Sequence, residues 1–136
     1  MAYSRYYPKR LSAEPLLDSL SQAAGSPEPF QSMFPGTRAT QLPEPEIESY
    51  FLEVFDRPSR QLVCERKNTP TLNQALHMIG GDTAHRKASD RSGFIASNLS
   101  KIPDDGKMIE ELYLRTLARF PDAEETANAQ NAIRAA

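Results

Sequence analysis

The apolar residues of this chain recur with the period of an α-helix, and no convincing segment shows the alternation of a strand. The clearest helical patterns cover residues 12–24 and 107–120, and shorter ones begin at Ile47, at Leu72 and near Ile95. The length of 136 residues is that of one domain. The sequence therefore predicts an all-α fold, a single compact helical domain over residues 1–136 with about five helices.

Local signals mark where the helices begin and end. Ser12 can cap the first helix, and residues 71–74 and 122–125 have capping-box spacing. Gly80 and Gly81 end the helix that starts near Leu72, and Pro121 is expected to end the helix that runs to Phe120. The predicted apolar stripe of the first helix is Ala13, Leu16, Leu17, Leu20 and Ala24, and that of the Leu72 helix is Leu72, Ala75, Leu76 and Ile79.

A long loop separates the first two helical patterns. Residues 26–46 contain five of the chain's 11 prolines and show no sustained apolar period. Because prolines stiffen the chain and remove backbone donors, we expect an ordered loop that side chains hold in place.

The arginines near this loop suggest two interpretations. One is structural: the guanidinium groups donate to backbone carbonyls and to Glu65, which tethers the loop. The other is a site that binds an anion or a partner. The residues of this candidate site are Arg38, Gln41, Arg57, Arg60 and Arg66.

Composition argues against several classes of function. The net charge of -2 gives no electrostatic reason to expect binding to nucleic acid or to a membrane surface. No apolar run has transmembrane length, and the N-terminus lacks the apolar region of a signal peptide, so we expect neither. The chain has one cysteine and two dispersed histidines, so folding is expected to need neither a disulfide nor a metal.

The residues that carry chemistry are sparse. No Gly-x-Ser-x-Gly, Gly-x-Gly-x-x-Gly or Cys-x-x-Cys motif occurs, so no catalytic, cofactor-binding or metal-binding residue is predicted. Cys64 and His77 could form a catalytic dyad, or Cys64 could be a small buried thiol. We expect His77 to be a hydrogen-bonded structural histidine and His85 to be solvated.

Several short motifs follow one another in a fixed order. They are Tyr-Pro-Lys-Arg-Leu at 7–11, Gly-Thr-Arg-Ala-Thr-Gln-Leu-Pro at 36–43, Ser-Tyr-Phe-Leu at 49–52, Arg-Pro at 57–58, Cys-Glu-Arg at 64–66, Gln-Ala-Leu-His at 74–77 and Glu-Leu-Tyr-Leu at 111–114. In this order the chain resembles the C-terminal part of domain of unknown function 1553, a module found with planctomycete-type cytochrome c proteins.

The resemblance implies a helical domain at the C-terminal end of large exported or periplasmic proteins, with no established activity. Arg38, Gln41, Arg57, Cys64, Glu65, Arg66 and His77 match motif positions of the family, which assigns them no role. Leu62 stands where many relatives have the first cysteine of a Cys-x-Cys pair, and Gly80-Gly81 replaces the usual Asn-Ser. Haem is not carried over, because the Cys-x-x-Cys-His motif of such proteins does not occur in this chain.

Three functions remain open at this point. The first is an interaction or packing module of a larger, exported multidomain protein, whose partners are its sister domains. The second is part of an enzyme that acts on a polysaccharide or a sulfated sugar, with the arginine cluster binding the anion. The third is a free-standing homo-oligomer.

Overall fold

The computed structural model describes residues 9–43, 47–58, 69–99 and 101–135. The described residues contain seven α-helices, one 3-10 turn and no strand, which confirms the predicted all-α class. The helices are α1 (Ala13–Ala24), α2 (Tyr50–Val54), α3 (Leu72–Gly80), α4 (Asp82–Ala88), α5 (Phe94–Asn98), α6 (Asp105–Leu117) and α7 (Ala123–Ala135), and the 3-10 turn is Ala39–Gln41. Helix α4 was not predicted.

The predicted capping boxes are both confirmed. At α3 the Thr71 hydroxyl accepts from the backbone N–H of Gln74, while the side-chain oxygen Oε1 of Gln74 accepts from the backbone N–H of Thr71. At α7 Asp122 and Glu125 exchange the same pair of bonds. Helix α6 ends at Leu117, three residues before the predicted Phe120, because Ala118 adopts a left-handed conformation with φ 54° and its N–H bonds to the Leu114 carbonyl.

The described residues form two compact units. Unit 1 takes the described residues up to Ser21 and Pro27–His85, and unit 2 takes Gln22–Ser26 and the described residues from Arg86 onwards. Four of the five residues predicted for the stripe of the first helix lie in or against the core of unit 1. This core consists of Ala13, Leu17, Phe30, Ala39, Phe51, Leu52 and Phe55, with Leu16, Leu20, Met33, Leu42, Ile47 and Val54 packed against it.

An aspartate on α1 holds the proline-rich loop of unit 1. The Asp18 carboxylate accepts hydrogen bonds from the N–H groups of Ala39 and Thr40, at 2.7 and 3.1 Å, and from the Thr40 hydroxyl at 2.7 Å. Phe30 is buried in the same core. The loop is therefore anchored in part by a carboxylate on the first helix, which no pattern in the sequence marks as an anchor.

Unit 2 is held partly by cationic side chains that donate to backbone carbonyls. Arg115 donates to the carbonyls of Gln22 and Ala23 at 2.6 and 2.7 Å, and its guanidinium lies 4.5 Å from the ring centroid of Phe94. Lys87 is 3% exposed and donates to the Ser26 carbonyl at 2.9 Å.

Hydrogen bonds to Asp90 lower the pKa of its carboxyl group. The Ser26 hydroxyl donates to this carboxylate, and with the N–H and hydroxyl of Ser92 it lowers the pKa of Asp90 from 3.8 to about 2. Because the pKa of Asp90 is lower in the folded chain than in the unfolded chain, this stabilisation is complete above pH 3.8 and is lost as the pH falls towards 2.

We expect the free energy of unfolding of the Asp90→Asn variant to fall less than that of the parent chain between pH 3.8 and pH 2. Urea unfolding at a series of pH values measures this difference. An unchanged pH dependence in the variant would contradict the assignment to Asp90.

No helix within the described residues is both long enough and apolar enough to cross a membrane.

Candidate functional site

Helix α3 is inverted relative to the expectation for an amphipathic helix. Its buried residues are polar, since Gln74 is 2% exposed and His77 is 9% exposed. Its apolar residues face outwards: Leu72 is 73% exposed, Leu76 57% and Ile79 87%. The predicted apolar residues do lie in a helix, but Leu72, Leu76 and Ile79 do not pack into the core of unit 1. We call Leu72, Leu76 and Ile79 the α3 apolar face.

Gln74 is buried because all of its hydrogen-bonding capacity is used. Its carbonyl oxygen accepts from the Thr71 N–H and from the Arg10 guanidinium. Its amide nitrogen donates to the Val54 carbonyl at 3.0 Å and to the Asp56 carboxylate at 2.7 Å. A primary amide has two donors and two principal acceptor sites, so this side chain is fully satisfied without water. It joins the segment before α1, the end of α2 and the start of α3.

His77 has the structural role predicted for it. Its Nε2 lies 3.1 Å from the Thr83 hydroxyl, and its ring makes edge contacts with the rings of Tyr50, Phe51 and Phe55 at centroid distances of 5.5 to 5.9 Å. Cys64, the other member of the possible dyad, lies outside the described residues. His85 is exposed, as expected.

An open cleft of about 350 Å³ lies beside α3 within unit 1. Its walls are largely apolar, and its polar groups come from Arg10, Thr71 and Gln74. The residues that line it are Arg10, Leu11, Leu16, Phe55, Pro70, Thr71, Gln74, Ala75 and Met78. Neither Arg10 nor the cleft was identified from the sequence, although both Arg10 and Gln74 lie in motifs that the sequence analysis noted.

The predicted arginine site is only partly within the described residues, because Arg60 and Arg66 lie outside them. Arg38 and Gln41 are exposed; Arg38 precedes the 3-10 turn and Gln41 is its last residue, and the Gln41 side chain accepts from the Arg38 N–H at 3.1 Å. This contact is local to the turn. Whether the five residues form one site stays a prediction.

Arg57 is the most enclosed of the predicted site residues within the described part of the chain. Its side chain is 9% exposed, its Nε lies 3.9 Å from Glu14 on α1, and Nη1 donates to the Ile47 carbonyl at 3.4 Å. Its N–H bonds to the Leu52 carbonyl just after Asp56, which has φ 61°, and this closes the end of α2. These contacts support the structural interpretation of Arg57.

We expect Arg57→Ala to lower the free energy of unfolding by about 1 to 3 kcal/mol, because Glu14 and the Ile47 carbonyl lose a partner in a partly buried setting. The loss should be equal with and without added sulfate, measured by urea unfolding. Arg38→Ala, which removes an exposed guanidinium, is the matched control and should change stability little. If sulfate stabilised the parent chain and not the Arg57 variant, the anion-binding interpretation would replace the structural one.

Ligands for a metal are not grouped in the part of the chain that the structure describes: no three His, Cys, Asp or Glu residues lie close enough together there to hold an ion. The α3 apolar face and the adjoining cleft are two features of the described residues that could mediate recognition.

Comparison with known proteins gives one match. No curated protein and no solved structure was found to match the chain. A family model, described as PSD1, protein of unknown function (DUF1553), matches residues 1–133. Since the match covers nearly the whole sequence, the chain belongs to this family.

Proposed function

We propose that this chain is a helical packing module of a larger, exported multidomain protein, and that a sister domain covers the α3 apolar face. The observation that carries the proposal is the outward exposure of Leu72, Leu76 and Ile79 on one helix whose polar residues are buried. No catalytic step is part of this function.

The spacing of the α3 apolar face suits a helical partner. The three residues stand at i, i+4 and i+7, which places them in one row on the helix surface. Such a row packs into the groove between rows of a second helix. Helix α3 also carries no Asp, Glu, Lys or Arg, so an apolar partner face would bury no charge from it.

Single exposed apolar side chains are ordinary in proteins and need no partner. Phe34, in the proline-rich loop, is 87% exposed, as Ile79 is. What distinguishes Ile79 is that two further aliphatic side chains share its row. Phe34 therefore offers a control of equal exposure.

The other two functions have less support. An anion-binding enzyme site would use Arg57, and this arginine is engaged with Glu14 and the Ile47 carbonyl. A homo-oligomer would also cover the α3 apolar face, with the same helix from a second copy. The experiment must therefore identify the residue that contacts α3.

Photo-cross-linking in the native protein tests the proposal. A benzoylphenylalanine is placed at Ile79, and in a separate protein at Phe34, and the cross-linked peptides are identified by mass spectrometry. We expect position 79 to cross-link to one apolar helical segment outside residues 1–136 of this sequence, and position 34 to give no defined product. Cross-links from position 79 to α3 of a second copy would establish the homo-oligomer instead. No product from position 79 above the level at position 34 would refute both.

A further inference from the structure

The cleft beside α3 has the composition of a small recognition site. Leu11, Leu16, Phe55 and Met78 are among its apolar wall residues, and one cationic side chain, Arg10, lies in its lining. Binding sites for small groups commonly combine apolar walls with a few placed polar groups. The volume of about 350 Å³ is near the lower end for such sites, which suits one large side chain with a polar group attached.

Arg10 is held at this cleft by a hydrogen bond to Gln74. Its terminal nitrogen Nη2 donates to the side-chain oxygen Oε1 of Gln74, which also accepts from the backbone N–H of Thr71. Gln74 is buried and fixed by its two further bonds to Val54 and Asp56, so the acceptor that orients Arg10 is rigid. A guanidinium has five N–H donors, so donors remain for a ligand. The Thr71 hydroxyl, which accepts from the Gln74 N–H, keeps its own proton to donate.

The distance between the Arg10 guanidinium and the apolar wall limits which ligands can contact both. The centre of the Arg10 guanidinium lies 5.9 Å from the ring centroid of Phe55. A ligand that contacts both must therefore carry its negative charge close to its apolar group. An α-carboxylate meets this requirement, because it is attached to the same carbon as the side chain of its own residue. A carboxylate also matches the planar fork of a guanidinium.

We propose that the cleft binds the C-terminal residue of a polypeptide partner when that residue is large and apolar. The terminal carboxylate pairs with Arg10 and accepts from the Thr71 hydroxyl, and the side chain packs against Phe55, Leu16 and Met78. Capture of a chain terminus by oriented donors is a known mode of peptide recognition.

This site stands independently of the α3 apolar face. The cleft is lined from α3 by Gln74, Ala75 and Met78, whereas the α3 apolar face is Leu72, Leu76 and Ile79. The two sets lie on different rows of the helix. A sister domain on one row does not supply the ligand of the other, and either proposal can fail alone.

Two matched peptides test the proposal. The probes are acetyl-Ala-Phe with a free carboxylate and the same peptide as its C-terminal amide, titrated into the isotope-labelled chain. Chemical shifts of the Met78 methyl group and of the Thr71 and Ala75 amides report binding. We expect the acid to bind at least about tenfold more tightly than the amide, the range of one charge-assisted hydrogen-bonded pair.

Variants locate the effect. Arg10→Gln should remove the preference for the acid, whereas Lys9→Gln, which removes a neighbouring exposed cation outside the cleft lining, should retain it. Ala75→Phe should prevent binding of both peptides, because the larger side chain fills the cleft. This variant keeps Arg10 and therefore tests the site even if Arg10→Gln folds poorly. The proposal is overturned if acid and amide bind equally, if neither shifts the three reporters, or if Lys9→Gln acts as strongly as Arg10→Gln. Equally tight binding of acetyl-Phe-Glu-Ala-amide would overturn the assignment to a chain terminus.

Discussion

Replacing Gln74 by leucine is expected to lower the free energy of unfolding by about 3 kcal/mol, although the change puts a larger apolar surface into the core. Leucine lacks the two amide N–H donors of Gln74 and the side-chain oxygen that accepts two hydrogen bonds. The Val54 carbonyl and the Asp56 carboxylate lose a donor, and the Thr71 N–H and Arg10 lose an acceptor. Leaving these partly buried polar groups unpaired costs more than the added apolar surface of leucine contributes.

Asn73→Leu is the matched control, because it makes the same kind of change on the same helix at an exposed position. Urea unfolding of both variants gives the comparison, and the control should lie within about 0.5 kcal/mol of the parent chain. Gln74→Glu distinguishes the role of the side-chain acceptor from the role of the amide donors. It keeps the acceptors for Thr71 and Arg10, loses the donors, and places a second carboxylate beside Asp56. If Gln74→Leu were no worse than Asn73→Leu, the network around Gln74 would be incidental to the fold.

Helix α3 also shows what the sequence could predict and what it could not. The capping box between Thr71 and Gln74 is a local signal, and it correctly predicted the start of the helix. The same local signal hides the tertiary role of Gln74, because its bonds to Arg10, Val54 and Asp56 join residues far apart in sequence. The apolar stripe predicted a helix but assigned the wrong face to the core. An apolar pattern identifies the face of a helix that is stabilised by removal from water. It does not identify whether the same chain or a partner covers that face.

The proline-rich loop gives a similar lesson. Its order was predicted from the prolines, and arginines were expected to hold it. In the described residues Asp18 supplies three of the bonds, and a carboxylate on a helix surface has no local signature that marks it as an anchor. Helix α4 was missed for a related reason. Its buried residues are Thr83 and Lys87, so it has no apolar period to detect.

A methyl group at Gly81 is expected to destabilise unit 1 by about 2 to 4 kcal/mol, although its backbone angles of φ -76° and ψ 151° suit any residue. The obstacle is space. A Cβ atom there would lie 2.1 Å from the His77 carbonyl oxygen and 2.8 Å from two atoms of the His77 ring. Neither can yield easily, because the carbonyl accepts the Gly81 N–H at 2.9 Å and the ring packs against Phe51 and Phe55.

Gly80 supplies the internal control, since a Cβ atom there meets nothing within 4 Å. Gly80→Ala replaces a glycine in the last position of α3 and should stabilise the chain by up to about 1 kcal/mol. The two adjacent glycines are therefore expected to respond with opposite sign in thermal and urea unfolding. Gly81→Ser carries the same Cβ and should be as harmful as Gly81→Ala. If Gly81→Ala were neutral, the turn between α3 and α4 would relax without disturbing His77, and the close packing there would not constrain residue 81.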